Sequence, residues 1–133
     1  MSRSLLVMST LIVLGVFAMN RSNQADTPTK PEKLLRHVVL FKFTDDAKPA
    51  QIKAVETAFA ALPSKIDAIH GFEWGTNNSP EPHAQGYTHC FLVTFRTEED
   101  REKYLPHPEH LKFVEVLKPI LDQVHVVDYW TQQ

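Results

Sequence analysis

Cysteine is almost absent from this chain of 133 residues: Cys90 is the only one. That excludes an internal disulfide framework and any multi-cysteine zinc site. Glycine is scarce too, with 4 in all, and neither a glycine-rich phosphate loop nor a GxSxG elbow occurs. No excess of positive charge exists, since 14 Lys and Arg face 16 Asp and Glu for a formal net charge of -2. A general nucleic-acid binder is therefore not expected. What is present is ordinary for one globular domain: 43% hydrophobic, 23% charged and 10% aromatic residues. Such a chain holds one core, not two.

The one sustained apolar run, Leu5 to Ala18, is shorter than the roughly 20 residues a membrane helix needs. Arg3 precedes it and polar residues follow, which is the layout of a secretory signal. We assign residues 1–25 to a signal peptide, with cleavage after Ala18 or Ala25, and residues 26–34 to a polar linker. The expected location is secreted or periplasmic, with no stable membrane insertion once the signal is removed. The alternative is an uncleaved N-terminal anchor. Residues 35–131 form the folded domain, and from residue 34 on the chain has ten basic and fourteen acidic residues.

Within that domain the spacing predicts β-α-β-β-α-β. Leu35 to Thr44 reads as a strand with His37, Val39, Phe41 and Phe43 on one face and Val38 and Leu40 on the other. Ile52, Val55, Phe59 and Leu62 recur at helical spacing after Pro49. Gly71 to Asn77 and Tyr87 to Phe95 read as strands separated by a proline-bearing loop. Thr97 caps an acidic first turn of a second helix ending at Tyr104 and Leu105. A further helix is expected from about Glu109 to Asp122, shortened or kinked by Pro119, and a last strand from Val124 to Tyr129. This is an α+β, ferredoxin-like plan: a four-stranded antiparallel sheet with helices on one face. Strands one and three are apolar on both faces, yet helices cover only one. Two such sheets placed face to face close a dimeric α+β barrel, so a homodimer is expected.

The densest polar constellation is Tyr104-Leu105-Pro106-His107-Pro108-Glu109-His110, with His37 in strand one and the Tyr87-Thr88-His89 turn as outliers. Histidine exchanges protons near neutrality, and a tyrosine hydroxyl can steady an oxygen as negative charge develops on it. A His-Tyr pair in an apolar pocket suits proton abstraction next to a carbonyl. Each residue has a structural alternative: Tyr104 as a core ring, His110 as a helix cap, His107 as part of a rigid turn, His37 as a satisfied core histidine. No HxH or HExxH spacing supports a metal site, and no cofactor is expected.

The segments RHVVLFKF, GYTHCFLVTF, YLPHPEH and VVDY, in this order, resemble the stress-responsive A/B barrel family over about residues 35 to 130. The resemblance implies the ferredoxin-like fold and the face-to-face dimer. It further implies a cofactor-free aldol ring closure of a linear polyketide thioester, the one understood chemistry in that family. On that pattern His110 and Tyr104 are the catalytic pair, His37 is a pocket histidine, and Phe59 stands where a pocket tyrosine is found. The expected ligand is a small, mostly apolar or aromatic carbonyl compound, bound among Phe41, Phe59, Phe91 and His107. The alternative is a non-catalytic stress or structural dimer; a haem- or metal-handling protein is the third reading.

Overall fold

A computed structural model describes residues 32–132. The segments expected to be a signal peptide and all but the last residues of the linker lie outside that range. The strands are β1 (Leu35–Phe43), β2 (Gly71–Thr76), β3 (His89–Phe95) and β4 (Leu121–Trp130). The helices are α1 (Pro49–Ala60), α2 (Glu98–Tyr104) and α3 (Pro108–Leu117). All strand pairings are antiparallel in the order β2-β3-β1-β4, which is the ferredoxin-like arrangement expected.

Alternation along β1 sets the two faces. Leu35, His37, Val39 and Phe41 are buried beneath the helices, whereas Arg36, Val38, Leu40 and Lys42 are only half-buried on the other side. Residues paired across strands share a face, so Leu92, Val38 and Val127 form an apolar row over the open side. The row beside it is Cys90, Leu40 and His125. At the edge, β4 is exposed along most of its length, and Val124, Val126 and Val127 all meet solvent in the single subunit.

Local chemistry starts and stops each helix. Pro49 opens α1, where its missing N–H costs nothing, and the Lys48 N–H donates to Gln51 Oε1 at 2.9 Å. Val55 and Phe59 face the sheet, after which Pro63 tightens the chain into a short 3-10 turn at Leu62–Ser64. Thr97 Oγ1 accepts the Asp100 N–H at 3.1 Å, capping α2 as expected. The last helix is shorter than its apolar spacing suggests. It ends at Leu117, Lys118–Ile120 is a 3-10 turn, and β4 begins at Leu121. Pro119 lacks the N–H that another α-helical turn requires, so Leu121 leaves the helical stripe and joins the sheet. Beside the start of β1, the Leu34 N–H donates to Thr131 Oγ1 at 3.0 Å and the Thr131 N–H donates to the Leu34 carbonyl at 2.9 Å.

Between sheet and helices lies an aromatic core. The Phe59 ring centroid is 4.4 Å from both Phe91 and Phe113, and Phe41 is 5.3 Å from Phe91. Pairs at such separations are worth about 0.5–1.5 kcal/mol each beyond the area they bury.

Candidate functional site

The turn between α2 and α3 builds the site. Tyr104 ends α2, and His107 caps α3 with its Nδ1 accepting the Glu109 N–H at 3.2 Å. Pro108 then fixes the first helical position, and α3 runs back so that His110 lies over Tyr104 with ring centroids 4.3 Å apart. The His110 Nδ1–H donates to the Leu105 carbonyl at 2.8 Å. A carbonyl can only accept, so the tautomer is fixed and Nε2 keeps its lone pair. Burial pushes the His110 imidazole below its ordinary value, with His37 adding to the effect against the Leu105 bond. The ring is therefore a neutral base at neutral pH.

Tyr104 is 0% exposed, and its hydroxyl is the one buried side-chain polar atom without a hydrogen-bond partner among the described residues. Burial pushes this phenol well above its ordinary range, so the hydroxyl stays protonated and can only be a donor to an incoming charge. Leaving such a group unpaired costs about 1–3 kcal/mol. Buried polar groups are nearly always satisfied, and an exception calls for a reason.

His37 completes the group from β1. Its ring lies 5.9 Å from that of Tyr104, edge-on. Its Nδ1 is 2.7 Å from Asp128 Oδ1, and the other oxygen of Asp128 accepts from Arg101 Nη1, also at 2.7 Å. Sequence reasoning missed both Asp128 and Arg101. VVDY is one of the segments that carry the family resemblance, but the carboxylate gains its meaning only from strand register, which sets Asp128 directly opposite His37. Helical spacing gave a signal for Arg101, one turn before Tyr104 on the same short helix, without saying what it would meet.

The structure thus brings Tyr104, His110 and His37 together and leaves the other expected site residues outside that cluster. Phe41, Phe59 and Phe91 lie one layer deeper and pack on one another, with Phe113 joining them to His110 at 6.2 Å. Phe41, Phe59 and Phe91 are thus core residues with almost no exposed surface, not the ligand-lining set expected. His107 turns away to line a shallow cleft of about 480 Å³ with Lys65, Lys103, Pro106 and Pro108. A second cavity, of about 470 Å³, opens at the far end of the sheet between Leu40, Thr76, His83, Tyr87, Cys90 and His125. Neither cavity reaches the Tyr104–His110 pair. A second imidazole–carboxylate contact, His89 Nε2 to Glu56 Oε1 at 3.2 Å, ties β3 to α1. Among the described residues no three His, Cys, Asp or Glu side chains converge as a metal-binding set, and no helix is long and apolar enough to cross a membrane.

Known proteins share this fold. Stress-response A/B barrel domain-containing protein HS1 of Arabidopsis thaliana is 37% identical over 95 residues, spanning 71% of this chain and 87% of that protein. Olivetolic acid cyclase of Cannabis sativa is 28% identical over 95 residues, spanning 71% of this chain and 94% of the cyclase. A crystal structure of a dimeric protein of ferredoxin-like fold from Bacteroides fragilis superposes with a TM-score of 0.62 at 29% identity, covering 74% of this chain and 96% of that one. The family profile described as Stress responsive A/B Barrel Domain matches residues 35–131, from the first residue of β1 to just past the end of β4. By that match and by its fold, this chain belongs to the stress-responsive A/B barrel family.

Proposed function

We propose that this protein is an exported homodimer that takes a small, mostly apolar carbonyl compound and performs acid–base chemistry on it without a cofactor. The single observation that carries this reading is the orphaned Tyr104 hydroxyl beside the neutral His110 ring. A phenol kept protonated by burial, next to an imidazole whose Nε2 is free, is a donor and an acceptor waiting for a third group.

In the reaction class proposed, His110 Nε2 removes a proton from carbon next to a carbonyl. The electron pair moves onto the carbonyl oxygen, where the Tyr104 O–H donates to the developing enolate. The enolate carbon then attacks a second carbonyl of the same molecule. A carbon–carbon bond forms, and the proton held by His110 passes to the new alkoxide. His37 borders the pair and orients the reacting chain or shares the proton. The name of the Cannabis sativa relative, a cyclase, supports a ring closure of this kind. The open sheet face, with Leu92, Val38 and Val127 in a row, supports the dimer, as does the dimeric Bacteroides fragilis neighbour. Export rests on the N-terminal sequence, and N-terminal sequencing of the mature protein tests it.

A linear polyketide thioester and short acyl or aromatic carbonyl compounds are the probes. The acid–base reading expects turnover by the native protein, loss of that turnover in Tyr104→Phe and His110→Ala, and a rise in melting temperature with bound probe. The second reading is a non-catalytic dimer in which the same side chains brace the helix junction. The 5.2 Å packing of the Tyr104 ring on Phe95 favours it. It requires that both substitutions change the melting temperature while no probe is turned over.

A further inference from the structure

Arg101 lies outside the histidine–tyrosine cluster, yet its guanidinium reaches that cluster through one carboxylate. Asp128 has two oxygens and gives one to each neighbour: Oδ1 to His37 Nδ1 and Oδ2 to Arg101 Nη1, both at 2.7 Å. The three groups come from three elements, β1, β4 and α2. The Arg101 and Asp128 side chains are each about one quarter exposed, with values of 24% and 26%, so solvent can compete for the carboxylate wherever the guanidinium does not hold it.

We propose that Arg101 is a positioning residue that locks the tautomer of His37. A carboxylate bonded on one oxygen alone can rotate about its last side-chain torsion, and a broad, two-fold torsion offers little resistance. With both oxygens engaged in charge-assisted bonds, Asp128 presents Oδ1 to His37 in one orientation only. His37 then carries its proton on Nδ1, and its Nε2 keeps a lone pair. Because Arg101 and Tyr104 are one turn apart on α2, the element that delivers the phenol also fixes the histidine beside it. A lysine at this position supplies the charge, but on a flexible point donor in place of the rigid, planar group that aims Nη1 at Oδ2.

The inference uses the acid–base reading only for its kinetic consequence; the tautomer is measured directly. In the ¹⁵N-labelled full chain, long-range proton–nitrogen correlations report which nitrogen of each imidazole is protonated. The expected result is a single Nδ1–H tautomer for His37 in the native protein. In Arg101→Met the Nε2–H form of His37 grows to a comparable population, while His89 and His110 keep their native signals. Arg101→Lys restores the native pattern in part. Should Arg101→Met fail to fold, Arg101→Lys alone decides, since it must still show a measurable share of the second tautomer. An unchanged His37 in the folded variants overturns the proposal, as does a native His37 protonated on Nε2. A protein that turns over no carbonyl probe, but whose His37 responds to Arg101→Met, defeats the acid–base reading and leaves this inference standing.

Discussion

The His37 imidazole and the Asp128 carboxylate, 91 positions apart in the chain, meet at 2.7 Å because antiparallel register sets them directly across from each other on β1 and β4. Replacing Asp128 with Ala leaves the His37 Nδ1–H and the Arg101 guanidinium without their acceptor. A loss of about 2 kcal/mol in stability is expected, within the cost of orphaning partly buried polar groups. For a domain of this size that lowers the melting temperature by about 8–16 °C, as read in a thermal unfolding scan.

Tyr104→Phe acts in the opposite direction. The hydroxyl has no partner to lose, so its removal relieves a desolvation penalty and stability holds or rises by about 1 kcal/mol. Turnover of any carbonyl probe disappears in the same variant. Melting curves beside activity assays check both halves, and a variant that melts well below the native protein contradicts the description of this hydroxyl.

The acid side of the pH profile belongs to His110. Its imidazole is held below the ordinary value in the folded chain and returns to about 6.5 on unfolding. Between those two values the unfolded chain binds the extra proton, so this group's contribution to stability is full above about 6.5 and declines as pH falls toward the lowered folded value. Activity follows the same limb, because a protonated ring accepts nothing. Imidazole titration by NMR, together with rate measurements across the mildly acidic range, tests the shared limb.

Val127 ends the open-face row on the edge strand, opposite Val38 and in line with Leu92. A carboxylate there cannot be buried unpaired against a second sheet without several kcal/mol of desolvation. Val127→Asp should therefore elute as a single subunit in size-exclusion chromatography, whereas the native chain elutes as a pair. Equal elution of the two defeats the face-to-face arrangement.

Most of the fold was legible because period-two and helical spacings are local. Val55 and Phe59 announce α1, and the alternation from Leu35 to Phe41 announces β1 and both of its faces. The end of α3 is less legible: Pro119 predicts a shortened or kinked last turn, but Leu121 continues the helical stripe and nothing local says that it opens β4. At the site, Tyr104 and His110 were readable because a single turn joins them and prolines fix its path. Asp128 and Arg101 were not. Their roles depend on strand register and on which way a short helix faces, and no local pattern encodes either.

Asp128 has a further consequence through where it stands on β4. The free edge of the sheet presents Val124, Val126 and Val127 in sequence, a β-prone stretch that loose subunits can template on one another. Asp122 and Asp128 bracket those valines as gatekeepers. Neutralising either acid lengthens the sticky segment, and at Asp128 precipitation during refolding is expected on top of the lowered melting temperature.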